Sequence, residues 1–150
     1  MKDNILIREY KKEDKDSVLN LFKLNTPEYF SEEEQKELIF YLENEIEYYF
    51  VIENNNLIVG SGGINFSGKP AIGKISWDMI HPDFQGKSLG SFLLNYRIEK
   101  MKKMEALEKI IVRTSQLVYK FYEKQGFQLL EVVEDYWAKG FHLYQMEYVK

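Results

Sequence analysis

Five residues in the middle of the chain, Gly86-Lys87-Ser88-Leu89-Gly90, have the types and spacing from which chemistry is most often built. Two glycines around a lysine and a serine let the backbone turn sharply and present its N–H groups to an anion. Before them stand a strand-like run ending at Ile80 and the turn His81-Pro-Asp-Phe-Gln85. After them, Leu89, Phe92, Leu93 and Tyr96 recur at helical spacing, and Leu94, Ile98 and Met101 widen the apolar face. A strand that turns into a helix in this way aims the positive end of the helix dipole at one point, which suits a phosphate.

Three short patterns compete for this loop. Gly86-Lys-Ser88 matches the end of a nucleotide-binding P-loop, but that motif needs a glycine where the chain has His81, followed by Pro82. Gly86-Lys-Ser88-Leu-Gly90 matches a nucleophile elbow, in which a strand runs straight into the serine; here Pro82-Asp-Phe-Gln85 intervenes. A serine hydrolase using Ser88 would need a downstream acid and histidine, which leaves His142 with Asp135 or Glu131. The third pattern is Gln85-x-x-Ser88-x-Gly90 between a strand and a helix.

With that pattern the chain resembles the GNAT acetyltransferase superfamily, whose acetyl-CoA signature is Gln/Arg-x-x-Gly-x-Gly/Ala. His81-Pro-Asp-Phe-Gln-Gly-Lys87 is similar to the family's approach to its cofactor loop, and Phe121-Tyr-Glu-Lys-Gln-Gly-Phe127 to its Tyr-Glu-Lys-x-Gly-Phe signature. The departure is Ser88, where the family usually has glycine. The resemblance implies acetyl-CoA as co-substrate, with no metal, bound by Met79, Ile80, Gln85, Gly86, Lys87, Ser88, Leu89 and Gly90. It implies an N–H of Asp78 or Met79 near the thioester carbonyl, and Tyr122 as the general acid that protonates the leaving thiolate. For the base, Asp78 is the first choice and Glu28 the second, because the strand position that holds glutamate in some members is Lys74 here. The acceptor cleft would be built by the glutamate-rich region around Glu28 and by Tyr136 and Trp137, which would alternatively bind a partner in a homodimer. The implied activity is direct transfer of acetyl to a primary amine (a small molecule, a peptide N-terminus or a lysine) in a ternary complex. A CoA-binding protein without turnover is the main alternative, ahead of the hydrolase.

The composition narrows the classes. The chain of 150 residues fits a single domain, 1–150, and its 45% hydrophobic and 29% charged content is that of a soluble globular protein. A net charge of −4 argues against nucleic acid as a partner. With no cysteine there is neither a disulfide nor a thiolate nucleophile, and two histidines, His81 and His142, argue against an imidazole-rich metal site. No apolar run reaches membrane-spanning length and the first residues lack a signal-peptide core, so a cytoplasmic protein without membrane association is expected.

The elements that must position these residues follow from periodicity and breakers. Asn4–Glu9 reads as a strand, and Asp14 as the cap of a helix carrying Val18, Leu21 and Phe22. Asn25-Thr-Pro27 breaks that helix, and Ser31-Glu-Glu-Glu34 opens another as a capping box. Tyr48–Glu53 and Leu57–Phe66 form a hairpin about Asn54-Asn-Asn56, and Ser67-Gly-Lys-Pro70 turns into a central strand up to Ile80. Alternation on that strand puts Lys74, Ser76 and Asp78 on one face and Ile75, Trp77 and Met79 on the other. The helix after the loop runs to about Met104, followed by a buried strand Lys109–Arg113 and a helix Gln116–Gln125 stopped by Gly126. Phe127–Glu134 is a strand, Asp135–Gly140 a connection and Phe141–Val149 a last strand. The expectation is an α/β (α+β) protein with the GNAT fold, a mixed sheet of about seven strands flanked by about four helices.

Overall fold

In the computed structural model, which describes residues 4–66 and 71–149, seven strands and four helices follow one another along the chain. They are β1 (Ile5–Glu9), α1 (Lys15–Leu24), α2 (Gln35–Asn44), β2 (Tyr48–Asn54), β3 (Leu57–Phe66), β4 (Ile72–Ile80), α3 (Leu89–Lys102), β5 (Lys109–Thr114), α4 (Tyr119–Lys124), β6 (Phe127–Ala138) and β7 (Phe141–Tyr148). The strands form one mixed sheet in the order β1-β2-β3-β4-β5-β7-β6, in which β4 and β5 run parallel and every other neighbouring pair antiparallel. The expected element order and α/β class hold throughout. The turn expected at Ser67–Pro70 lies outside the described residues.

Alternation in the strands divides the apolar residues between two cores. Phe50, Ile52, Ile64, Ile75 and Val112 pack under Leu93, Leu94, Ile98 and Met101 of α3, joined by Tyr122 of α4. Val51, Tyr49 and Met79 pack on the other face against Val18, Leu21 and Phe22 of α1 and Leu38 and Tyr41 of α2. The stripe on α3 is narrower than its sequence suggests: Phe92 and Tyr96 are exposed, and the fully buried side chain at that level is Arg97.

Two features of β4 build the site. Ser61 pairs with Met79 and Gly63 with Ser76, so Trp77 and Asp78 together oppose Gly62 in a bulge, with Trp77 at φ 48°. The extra residue reverses the alternation. Ile75 lies in the α3 core while Trp77 and Met79 join the other, and Asp78 crosses to the α3 side, away from Lys74 and Ser76. The face assignment expected from strict alternation is therefore wrong beyond Ser76. The second feature is the end of the β4–β5 ladder at Ile75–Val112. Beyond it the two parallel strands continue without pairing, to Ile80 and Thr114.

Other boundaries differ from expectation for local reasons. A 3-10 turn, Lys12–Asp14, precedes α1, and the Asp14 carboxylate caps that turn by accepting the Lys11 N–H at 2.8 Å, not the N–H groups of α1. The Ser31 box forms as read, with Glu34 accepting the Ser31 N–H at 2.9 Å. Helix α4 starts at Tyr119, because Ser115–Val118 form a turn in which the Ser115 carbonyl accepts from Val118 and Tyr119. Strand β6 extends to Ala138 through an irregularity at Asp135 (φ 52°), so Tyr136 and Trp137 belong to a strand and not to a connection.

Asp14 also holds Arg8 by two hydrogen bonds, of 2.8 and 2.9 Å, while the Arg8 Nε reaches Glu53 at 2.5 Å. The hydrogen bonds from Arg8 hold the Asp14 carboxyl below its ordinary pKa. A depressed carboxylate contributes stability above its unfolded pKa of about 3.9 and loses it as pH falls through the folded value. Asp14→Asn is expected to cost about 1–3 kcal/mol in urea unfolding at pH 7, a deficit that shrinks at pH 3.5. An equal deficit at both pH values would contradict this linkage.

Candidate active site

The turn after β4 is pinned from three sides before it reaches α3. The Ile80 carbonyl accepts from the Asn25 side chain at 3.1 Å and from the Gln85 side chain at 3.2 Å, and the same Gln85 amide donates to the Asn25 Oδ1 at 3.2 Å. Gln85 thus ties the loop back to the strand end and to the C-terminus of α1. Gly86 and Ser88 both take left-handed geometry, at φ 78° and 65°. For serine this conformation costs about 1 kcal/mol or more, which glycine would escape. Ser88 starts α3 without a side-chain cap, unlike the N-capping expected of a serine. The N–H groups of Gly86, Lys87 and Ser88 donate to no carbonyl among the described residues.

This loop forms one wall of a cavity of about 450 Å³ in the split between β4 and β5. Met79, Ile80, Gln85, Gly86, Ser88, Leu89 and Gly90 all line it, as do Asp78 and Tyr122. Lys87 does not; its ammonium lies 5.4 Å from the centre of the Phe84 ring.

At the inner end of the cavity three polar side chains meet. Tyr122 Oη donates to Asp78 Oδ2 at 2.6 Å, and Arg97 Nη1 lies 2.6 Å from Asp78 Oδ1. That second contact is an ion pair, without the geometry of a hydrogen bond; Arg97 is wholly buried and donates to the Gly63 carbonyl at 3.0 Å and the Leu93 carbonyl at 3.3 Å. The second guanidinium nitrogen, Nη2, has no hydrogen-bond partner among the described residues. Burial first, and then the neighbouring Asp78 charge and the bond to it, push the Tyr122 phenol well above its ordinary pKa, while Arg97 opposes the shift.

A second cavity, of about 600 Å³, adjoins the first at Tyr29, Phe30, Ile75, Trp77 and Arg113. Its wall is aromatic at Tyr41, Trp77 and Trp137, acidic at Glu37, Glu45 and Glu47, and basic at Lys74 and Arg113. Trp137 lines it and donates to the Thr114 carbonyl at 3.0 Å. Tyr136 lines neither cavity; its hydroxyl accepts from Arg113 at 2.7 Å. Glu28 is exposed and lines neither, while the adjoining Tyr29 and Phe30 line both.

The structure therefore brings together Tyr122, Asp78 and seven of the eight residues expected for the cofactor, and leaves Glu28 outside. Ser88 and His142 do not meet: His142 lies outside the Ser88 cavity, and its Nδ1 accepts the Asp135 N–H at 2.9 Å. Sequence reasoning missed Arg97, Asn25 and Arg113. Arg97 stands four residues from both Leu93 and Met101, on the apolar stripe, which is the signal that could have found it. Asn25 had only its place before a helix-breaking Thr-Pro as a sign, and Arg113 only its place after Ile110-Ile-Val112.

Residues 15–127 match the model of the acetyltransferase (GNAT) family. An amino-acid acetyltransferase of Pasteurella multocida is 32% identical over 93 residues, covering 62% of this chain and 21% of the relative. The chain thus spans about a fifth of the length of the curated relatives it matches. A structure of aminoglycoside 6'-N-acetyltransferase complexed with coenzyme A superposes with a TM-score of 0.75 at 15% identity, covering 95% of each chain. N-acetylglutamate synthase from Neisseria gonorrhoeae, complexed with coenzyme A and N-acetyl-glutamate, gives 0.73 at 18% identity over 100% of this chain and 36% of that one.

The buried contact has a steric requirement that can be tested. A Cβ on Gly62 would stand 2.3 Å from Asp78 Oδ1 and 2.8 Å from Arg97 Nη1. Gly62→Ala is expected to lower unfolding stability by about 1–3 kcal/mol, as overpacking does. A melting curve indistinguishable from wild type would mean that Asp78 and Arg97 do not meet in this way.

Proposed function

Because the chain belongs to the acetyltransferase (GNAT) family, we propose that it transfers the acetyl group of acetyl-CoA directly to a primary amine in a ternary complex. The observation that carries this reading is the Tyr122 hydroxyl, bonded to Asp78 in the same cavity that the Gly86–Gly90 loop walls. Curated relatives with the name amino-acid acetyltransferase, and folds solved with coenzyme A, support it.

The residues present fit such a co-substrate. The N–H groups of Gly86, Lys87 and Ser88 are uncommitted, and they stand at the start of a 14-residue helix, where a pyrophosphate is favoured. Space beside Gly86 is open. Met79 and Ile80 would flank the pantetheine arm along β4, with Gln85, Leu89 and Gly90 shaping the turn and Lys87 adding charge from outside. When bound, acetyl-CoA supplies an acetyl group activated as a thioester.

Each protein group has a distinct task in this reading. An N–H of Asp78 or Met79, at the bulge, donates to the carbonyl oxygen as negative charge builds there. Tyr122 keeps its proton for the departing sulfur, because its raised pKa leaves it neutral throughout the range in which alkylamines titrate. Once Tyr122 has given its proton to the sulfur, the nitrogen of the attacking amine gives one to the phenolate, and the Asp78 carboxylate, which disfavours a phenolate beside it, promotes that return and so assists the base step. Trp137 walls the acceptor cavity, and the glutamates there attract a cationic amine. Tyr136 takes part by holding Arg113, and Glu28, exposed and outside both cavities, has no part in this reading. The reading places the protein's work in the cytoplasm.

A homodimer through β6 is the partner we favour. This edge strand exposes Leu130, Val132, Val133 and Tyr136, the kind of unpaired edge that pairs with another chain.

Two measurements test the function. Acetyl-CoA in excess should raise the melting temperature, as a ligand of the native state must, and no shift at millimolar concentration would sink the reading. Tyr122→Phe should lower kcat for thiol release about 100-fold or more while leaving that shift in place; unchanged turnover with a preserved shift would leave a CoA-binding protein whose chemistry lies elsewhere. The pH dependence has a definite sign. A phenol whose pKa is raised stays protonated below that value, so wild-type turnover should climb with amine deprotonation and show no falling limb below about pH 10. In Asp78→Asn the falling limb should move to lower pH, and an unmoved limb would separate Asp78 from Tyr122.

A further inference from the structure

Arg113 stands where the two cavities meet, with its charge uncommitted. Its neighbour Val112 is buried in the α3 core, so Arg113 projects from the opposite face of β5 into the split. Its Nη2 donates to the Tyr136 hydroxyl at 2.7 Å, and the guanidinium lies 4.9 Å from the Tyr136 ring centre and 5.7 Å from that of Trp137. These contacts fix the fork in place without neutralising it. Among the described residues Arg113 makes no ion pair, and neither does Lys74 on the same side of the cavity.

The cavity's carboxylates do not reach these cations. Glu34 accepts the Ser31 N–H, and Glu47 accepts the Phe66 N–H and the Asn65 amide, both at 3.0 Å. Among the described residues Glu37 and Glu45 take part in no ion pair either. Positive and negative walls face one cavity, and among the described residues no pair forms across it.

We propose that the acceptor is an α-amino acid whose carboxylate is held by the Arg113 fork. The inference rests on the acetyltransferase reading and names the acceptor class that the reading leaves open. A guanidinium presents parallel N–H groups that match a carboxylate in two places, and one already oriented by a hydroxyl and two rings loses little freedom in doing so. The amine of an α-amino acid lies two bonds from its carboxylate carbon, about 2.5 Å away. A carboxylate on Arg113 therefore leaves the amine at the junction, beside the Asp78 cavity. A simple alkylamine would bring its ammonium against an unneutralised guanidinium. A peptide N-terminus or a protein lysine has no carboxylate to offer at that distance.

The test is thiol release from acetyl-CoA with the free α-amino acids and their α-carboxamides, run on protein whose melting shift with CoA has first been measured. At least one free amino acid should be used about tenfold or more better, in kcat/KM, than its carboxamide, which loses the charge-assisted contact. Arg113→Gln should remove that preference by raising KM for the free acid about tenfold with kcat little changed, and leave the carboxamide within about twofold. Tyr136→Phe, which keeps the charge but frees the fork, should lose a smaller part of the preference. Acid and carboxamide used alike, or an Arg113→Gln loss equal for both, overturns the proposal, and the wild-type ratio decides the matter even where the variant fails to fold. A CoA shift without use of any amino acid also overturns it while leaving the family reading intact. Absence of the CoA shift removes the reading itself.

Discussion

A fully buried guanidinium sets the arrangement of this protein's central strand. Arg97 enters the core from α3, on a face otherwise made of Leu93, Leu94, Ile98 and Met101, and a charge in that position must find partners. It finds the Gly63 carbonyl on β3 and the Asp78 carboxylate on β4. Asp78 reaches it only because the bulge at Trp77 turns the strand over, and Gly62 leaves the space in which the two side chains meet. The bulge, the glycine and the arginine thus form one unit, and a change in any of them moves Asp78.

The chemistry inherits that arrangement. The Asp78 oxygen not turned toward Arg97 accepts the Tyr122 hydroxyl, which fixes the phenol in the cavity walled by the glycine loop. The same bulge coincides with the end of the β4–β5 ladder, so the strands part where the cavities open. One cavity carries uncommitted N–H groups at the start of α3 and the other carries separated charges of both signs. Their common boundary, at Trp77 and Arg113, is where a donor on one side and an acceptor on the other would touch. Asn25 and Gln85 hold the loop to the Ile80 carbonyl and keep the first wall in place.

Much of this was legible in the residues. The glycine-spaced loop, the strand before it and the helix after it follow from breakers and periodicity, and the Tyr122 motif marks the second half of the site. Ser88 matches two other motifs through glycine spacing alone, and its left-handed geometry is one that glycine adopts without strain. What could not be read were features in which tertiary contact overrules local pattern. A lone arginine in an apolar stripe reads as a surface residue that interrupts it, which hides Arg97 and makes Phe92 and Tyr96 read as part of the apolar face. The bulge has no local signature in β4 itself, since its cause lies across the sheet at Gly62 and beneath it at Arg97, and strict alternation therefore puts Trp77, Asp78 and Met79 on the wrong faces. Tyr136 and Trp137 looked like loop residues because Asp135 and Gly140 bracket them with turn-forming types.

The most direct measurement is a double-mutant cycle between Arg97→Met and Asp78→Asn, read by urea unfolding at pH 7. Removing Asp78 leaves a fully buried guanidinium without its counter-charge, which costs about 3–5 kcal/mol, removing Arg97 leaves a partly exposed carboxylate and costs less, and removing both takes the penalty away. The double variant should be less destabilised than the sum of the singles by about 2 kcal/mol or more. Additivity within about 0.5 kcal/mol would contradict the account, since Arg97 and Asp78 would then be independent and the strand would owe its bulge to something else.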